Sequence, residues 1–349
     1  RLIDKFDTGL EADSAEFCPA SVESQTPRFL ACGCYRYDEP SRKRIGRLHL
    51  LEIKDEAASG ATSAVMMYSR DSAFGGVLDL SWAGDATGDS PRLWTANADG
   101  SLAMYSVGLQ DLTVTASVPP PAAAAGAPHG DGCSGHCIAL SVNCFEDRVA
   151  ASYSTGHCAL LEHPEHQEAS ATSSSWLAHD LEAWVCQPSR WSSQAALSGG
   201  DDCQLKLWDR RSAGACSRSL RHDAGVTMIV EHPTVPYLFL SGSYDESVRV
   251  WDTRALGRPV HSLSVGGGVW RLKWSACCQR LLCAAMYNGF KVLAFSSATG
   301  LQLLEEFNSP HSSIAYGADW VGSFSESDRQ LVATCSFYDH LLCLWSHSF

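Results

Sequence analysis

The chain has 349 residues, with 26 Lys and Arg against 39 Asp and Glu, a formal net charge of −13, and 45% apolar side chains. The excess of acid argues against a protein that tracks nucleic-acid phosphates, which needs a basic face. No apolar run approaches the roughly 20 residues of a membrane helix. Fifteen cysteines occur at irregular spacing. Cys32 and Cys34 flank one glycine and Cys277 adjoins Cys278, so neither arrangement is the paired C-x-x-C of a zinc site. Cys186, Cys283, Cys335 and Cys343 lie in apolar runs. The sequence therefore predicts free, buried thiols, a reducing cytoplasmic setting and no metal. The sequence starts at Arg1 and not at Met, which leaves a targeting segment open.

In chain order, residues 2–8 form an isolated strand. Residues 13–18 open an alternating unit that continues through 30–34, a loop at 35–45 carrying Arg36, Arg42, Lys43 and Arg44, and the strand 46–51. Further alternating segments follow at 77–82, 137–142, 184–187, 226–230, 269–274 and 316–321. Each leads to a turn and a strand: Asp99 to Tyr105, Thr155 to Leu161, Asp202 to Trp208, Asp245 to Trp251, Asn288 to Ala294, and Asp339 to Trp345. In every case six residues separate turn from strand end. The Pro-, Ala- and Gly-rich stretch 110–133 and the segment 163–175 read as loops between repeats. Glu162, His163 and His166 are residue types that ligate metals, but Pro164 between the histidines favours a solvated loop.

The repeat ends at 51, 105, 161, 208, 251, 295 and 345 lie 54, 56, 47, 43, 44 and 50 residues apart. That spacing brackets the period of WD-type propeller blades, each a four-stranded sheet. The sequence thus predicts an all-β fold, one seven-bladed β-propeller domain over 1–349. Residues 2–8 would be the outer strand of the last blade, closing the ring and removing two open sheet edges. His179, His222 and His311 precede the inner strands of three blades and fit the turn residues Asp202, Asp245 and Asp339. These pairs are expected to be structural, because a buried imidazole needs partners.

No catalytic signature is present: no G-x-S-x-G, no H-E-x-x-H, no phosphate-cradling G-x-x-x-x-G-K, and no G-x-G-x-x-G after a strand. The inner-strand starts are more informative. They read Glu182-Ala-Trp-Val, Gly267-Gly-Val-Trp-Arg and Tyr316-Gly-Ala-Asp-Trp, and they converge on the channel mouth. Trp184, Trp270 and Tyr316 would form an aromatic box, a setting that attracts alkylated ammonium groups. Glu182, Arg271 and Asp319 would place charge beside it. His340, next to Asp339, is a candidate acid–base group.

The tracts 178–185, 267–274, 316–320 and 333–340 closely resemble the WD-repeat diphthine methylesterase family of diphthamide biosynthesis, as do 7–14 and 46–50. The resemblance implies an ester hydrolase that removes a methyl group from methylated diphthine on translation elongation factor 2, releasing methanol. A trimethylammonium on that side chain suits the aromatic box. On this reading His340 or Asp319 takes the proton of water, Arg271 steadies the oxyanion, and Trp184, Trp270, Tyr316 and Tyr338 hold the substrate. Glu182 completes the candidate catalytic set. No cofactor, nucleic acid or membrane is expected, and a monomer is. The competing reading is a non-catalytic WD-repeat scaffold that binds a protein segment in trafficking or assembly.

Overall fold

A computed structural model describes residues 1–348 apart from 20–27, 56–61, 84–90, 109–111, 126–136, 163–173, 213–214 and 321–328. Its strands form seven four-stranded antiparallel sheets, six of them built from consecutive strands. The seventh joins Ala315–Trp320, Arg329–Ser336, Leu341–Ser348 and, as its outer strand, Leu2–Asp7. That strand runs antiparallel to Leu341–Ser348, pairing Asp7 with Leu341 and Leu2 with Trp345. The predicted seven-bladed propeller and its closure are both observed.

Each sheet packs on a neighbour at both faces, which explains the composition of the second strands. Arg148–Tyr153 and Leu238–Ser243 are buried at every position, so apart from Arg148 they read as apolar or small and do not alternate. Between blades the packing is dry: Val185 and Leu197 meet Ile229, Phe239 and Trp251 in one buried cluster. Full burial of such side chains stabilises by about 1.5–3 kcal/mol each.

The turns explain why three repeats look strong and three weak. The residue after the turn position has φ of 64° at Cys203, 65° at Glu246 and 55° at His340. Gly100, Gly156 and Gly289 hold the same place with φ of 85°, 78° and 67°. Left-handed backbone is strained for a side chain and free for glycine. Of the three turns with glycine, only the first keeps a turn carboxylate, Asp99, which accepts from the Ser101 amide and hydroxyl; Thr155 and Asn288 hold the position in the others.

His179 Nδ1 lies 2.8 Å from Asp202 and Nε2 lies 2.7 Å from Ser198, to which Trp208 Nε1 donates. His222, Asp245, Ser241 and Trp251 repeat the arrangement. The third predicted pair is different. His311 Nδ1 meets Ser336 Oγ at 2.6 Å, and Ser336 in turn donates to Asp339 at 2.5 Å. A hydroxyl therefore bridges the ring and the carboxylate, while Nε2 bonds Thr334 in place of serine.

Two expected loops are shorter than predicted. The 35–45 loop is a hairpin, with Arg28–Asp38 and Lys43–Asp55 paired as far as Asp38 and Lys43. The 110–133 stretch contains the outer strand of blade 2, Leu112–Val118, and a helical turn at Ala122–Ala125. Residues 110–111 and 126–133, and most of 163–175, lie outside the described residues.

Candidate active site

Six of the seven inner strands enter the ring through an irregularity in their pairing. The register shifts between Ala12 and Ser14, Val77 and Asp79, Ala139 and Ser141, Ala183 and Val185, Val226 and Met228, and Ala315 and Ala318. A bulge leaves one residue out of the ladder and re-aims its side chain. Those residues are Asp13, Leu78, Leu140, Trp184, Thr227 and Tyr316, with Trp270 at the matching place in blade 6. All seven line one cavity of about 200 Å³ on the axis, together with Tyr35, Arg44, Asp79, Tyr244 and Arg271.

The predicted aromatic box forms and gains a fourth wall. Trp270 stacks on Tyr316 with centroids 4.7 Å apart and meets Trp184 edge-on at 5.7 Å. Tyr244 of blade 5 closes the group, 6.0 Å from Trp184 and 6.2 Å from Trp270. Gly268 makes room for it, since a Cβ there would lie 3.2 Å from the Tyr244 ring and 2.8 Å from Met286 Sδ. Trp184 is oriented by donating Nε1–H to Asp201 at 3.0 Å. Trp270 Nε1–H is buried with no partner among the described residues.

Opposite these rings lies charge. Arg271 donates to Asp79 at 3.0 Å, and both side chains are largely enclosed. Burial works against the guanidinium, but Asp79, Asp13 and Glu16 outweigh it and keep the group charged. Asp13 is 3% exposed, and its Oδ1 has no hydrogen-bond partner among the described residues. Burial drives its carboxyl well above the usual carboxylate range, with Arg271 opposing and Asp79 adding to the shift. An enclosed carboxyl of raised pKa with a free oxygen suits proton transfer.

A second charged layer lies deeper along the same strands. Lys273 donates to Glu16 at 2.7 Å, and Asp319 accepts from the Phe17 amide at 2.7 Å. Burial, only partly offset by Lys273, pushes Glu16 up to about 7. Burial also raises Asp319.

Of the eight residues singled out in the sequence, Trp184, Trp270, Tyr316 and Arg271 line the cavity, and four do not. Asp319 belongs to the deeper layer, where the Phe17 amide occupies its carboxylate. His340 stands at the rim, its Nε2 accepting from Arg36 at 3.0 Å. Arg36 also holds Glu11 at 2.9 Å, so His340 belongs to a clamp between blades 7 and 1. Glu182 is half-buried, and its carbonyl takes the Asp201 amide. Tyr338 is 67% exposed and lines a neighbouring groove. Sequence reasoning missed Asp13, Asp79, Tyr35 and Tyr244. The signal was available, because aligning the seven inner strands sets Asp13 level with Trp184 and Asp79 level with Arg271.

Comparison with known proteins gives the chain relatives. The WD domain, G-beta repeat family matches residues 214–252. A mouse protein named diphthine methyltransferase is 33% identical over 346 residues, covering 92% of this chain and 69% of its own length. A Dictyostelium discoideum diphthine methyltransferase homolog is 31% identical over 226 residues, and the match spans 62% of it. The Schizosaccharomyces pombe diphthine methyltransferase is 27% identical across 97% of this chain and 98% of its own. Among solved structures, a chain of a mitotic checkpoint complex crystal structure superposes with a TM-score of 0.72 at 15% identity, covering 100% of this chain and 95% of that one. This last likeness concerns the fold alone.

Proposed function

The chain belongs to the diphthine methyltransferase family, and from that membership we propose that it removes the methyl group of methylated diphthine on translation elongation factor 2. The reaction would be hydrolysis, giving diphthine and methanol as a step in diphthamide biosynthesis. The observation that carries this reading is the pairing, in one axial cavity, of an aromatic box with an enclosed, unpartnered carboxyl and a buried arginine. At about 200 Å³ the cavity lies below the roughly 300–1,000 Å³ typical of sites for whole drug-sized ligands. It suits the head group of a side chain reaching in from a larger protein.

Trp184, Trp270, Tyr244 and Tyr316 present ring faces and edges to a trimethylammonium, each desolvated contact contributing about 0.5–2 kcal/mol. Asp13, as carboxylate, takes a proton from water while the water oxygen attacks the ester carbonyl. The Trp270 indole N–H and a guanidinium N–H of Arg271 not used by Asp79 donate to the developing oxyanion. Preorganised donors of this kind contribute about 2.7–4 kcal/mol each. Collapse of the tetrahedral intermediate expels the methoxy group. It recovers the proton from Asp13 and leaves as methanol; the product carboxylic acid then releases its own proton to solvent and rests as a carboxylate beside Arg271.

The name of the relatives favours a second reading, methyl transfer, in which a methyl donor is consumed. One experiment separates the two. Purified protein is incubated with the methylated-diphthine factor in the presence and absence of S-adenosylmethionine. Hydrolysis predicts methanol and a loss of about one methylene mass without the donor. Methyl gain that depends on the donor would refute it, and binding without mass change would favour a scaffold.

A further inference from the structure

The cavity accepts one side chain, yet the reading above requires it to engage a whole protein. The face around its mouth carries features that the chemistry does not use. Arg28–Asp38 and Lys43–Asp55 have 11 and 13 residues, against six in most strands of the other blades. The extra length raises a hairpin above the mouth. Its base belongs to the cavity wall, through Tyr35 and Arg44.

The hairpin is held rigidly on both sides. Gly46 packs so closely on blade 2 that a Cβ there would sit 2.4 Å from the Gly75 carbonyl, and the Gly76 amide donates to Arg44 O at 2.7 Å. On the other side Arg36 bonds Glu11 and His340. The turn is capped by Asp38, which accepts from the Ser41 amide at 3.1 Å and from its hydroxyl. Beyond that cap, Arg42, Lys43 and Arg44 are all exposed, and among the described residues none forms an ion pair. Arg44 lies over the exposed Tyr37 ring at 5.9 Å. Three adjacent cations, opposed at the tip only by Asp38 and Glu39, stand on a protein of net charge −13.

From this edge a run of aromatic rings crosses the mouth. Tyr35 touches Phe337 at 5.3 Å, and Phe337 touches Tyr338 at 4.9 Å. Tyr338 and Tyr287, 67% and 82% exposed, flank a groove of about 400 Å³ between blades 6 and 7. Exposed aromatics beside a groove are anchors in search of a partner.

We propose that the hairpin 36–45 and this groove form a dock for an extended, acidic segment of the protein that presents the ester. Its carboxylates would meet Arg42, Lys43 and Arg44, and an apolar side chain would sit between Tyr287 and Tyr338. The proposal rests on the function proposed above for its choice of protein, and its test keeps the two separate.

The probes are intact elongation factor 2 carrying methylated diphthine and a short synthetic peptide with the same ester. For the R42E/K43E variant, affinity for the factor at low salt should fall about tenfold, the lower end of electrostatic steering effects. Its salt dependence should flatten, with peptide hydrolysis and thermal midpoint unchanged. Tyr287→Ala should weaken the factor about as much, with the salt dependence retained. Unaltered factor binding in both variants would overturn the dock, even where the wild type hydrolyses both probes. Factor binding that responds as described, with no methanol from the wild type, would support the dock and refute the hydrolysis.

Discussion

Asp13 is where activity and stability pull in opposite directions, and Asp13→Asn exposes both. The amide keeps the shape of the side chain and cannot take a proton. Loss of a general base lowers turnover by about 10²–10⁴, or about 3–5 kcal/mol of transition-state stabilisation. Stability should move the other way. The folded carboxyl titrates well above the 3.8 of an unperturbed Asp because burial penalises its charge. The folded state therefore holds the proton more tightly than the unfolded chain. The stability linked to that proton is complete below about pH 4 and is lost as pH rises through the folded pKa. Between the two values the loss is about 1.4 kcal/mol per pH unit. The amide has no such dependence, so the variant should gain on the wild type as pH rises through this window. With about 2 cal/mol/K of unfolding entropy per residue, each pH unit of that window is about 2 °C in thermal midpoint. Methanol release at saturating substrate and thermal unfolding from pH 4 to pH 8 measure the two effects. Turnover within threefold of wild type, or a midpoint difference that does not vary with pH, would refute this account of Asp13.

Three further outcomes follow from the same geometry. Trp270→Phe keeps the stacked ring and removes the unpartnered N–H, so turnover should fall about 10–100-fold with KM nearly unchanged, as steady-state kinetics will show. Asp79→Asn strips the enclosed guanidinium of its counter-charge, and should destabilise the fold by about 3–5 kcal/mol in urea titration. His340→Asn places a residue tolerant of left-handed backbone at a rim position that the cavity does not include, and turnover should stay within threefold. A hundredfold loss would return His340 to the reacting centre.

The ring itself was legible because its signals are local. The turn residues Asp202, Asp245 and Asp339 each satisfy backbone or hydroxyl donors close in sequence, and the paired Trp lies a fixed distance on. The blades with Gly100, Gly156 and Gly289 were harder to read, because glycine takes the left-handed turn without strain and only the first of them keeps a turn Asp, Asp99. Trp184, Trp270 and Tyr316 stood out as large rings at strand entrances, where packing alone favours small residues. Asp13 did not stand out. Its place on the axis follows from a one-residue bulge that no composition signal marks, and an acidic residue at a strand start reads as solvated. His340 was misleading for a related reason. Its neighbours Arg36 and Glu11 come from a hairpin and a strand more than 300 residues away in sequence, and they decide which way the ring faces.

The pairing of Leu2–Asp7 with Leu341–Ser348 has one more consequence. Asp13 and Tyr316 belong to blades 1 and 7, the two sheets that meet where the circle is completed. A molecule seated on the axis that touches both acts as a rivet across that seam. Occupancy at a hundredfold excess over Kd would add about 2.7 kcal/mol to the joined form. The join that lets the protein exist as a circle is thus also the place where its visitors can tighten it.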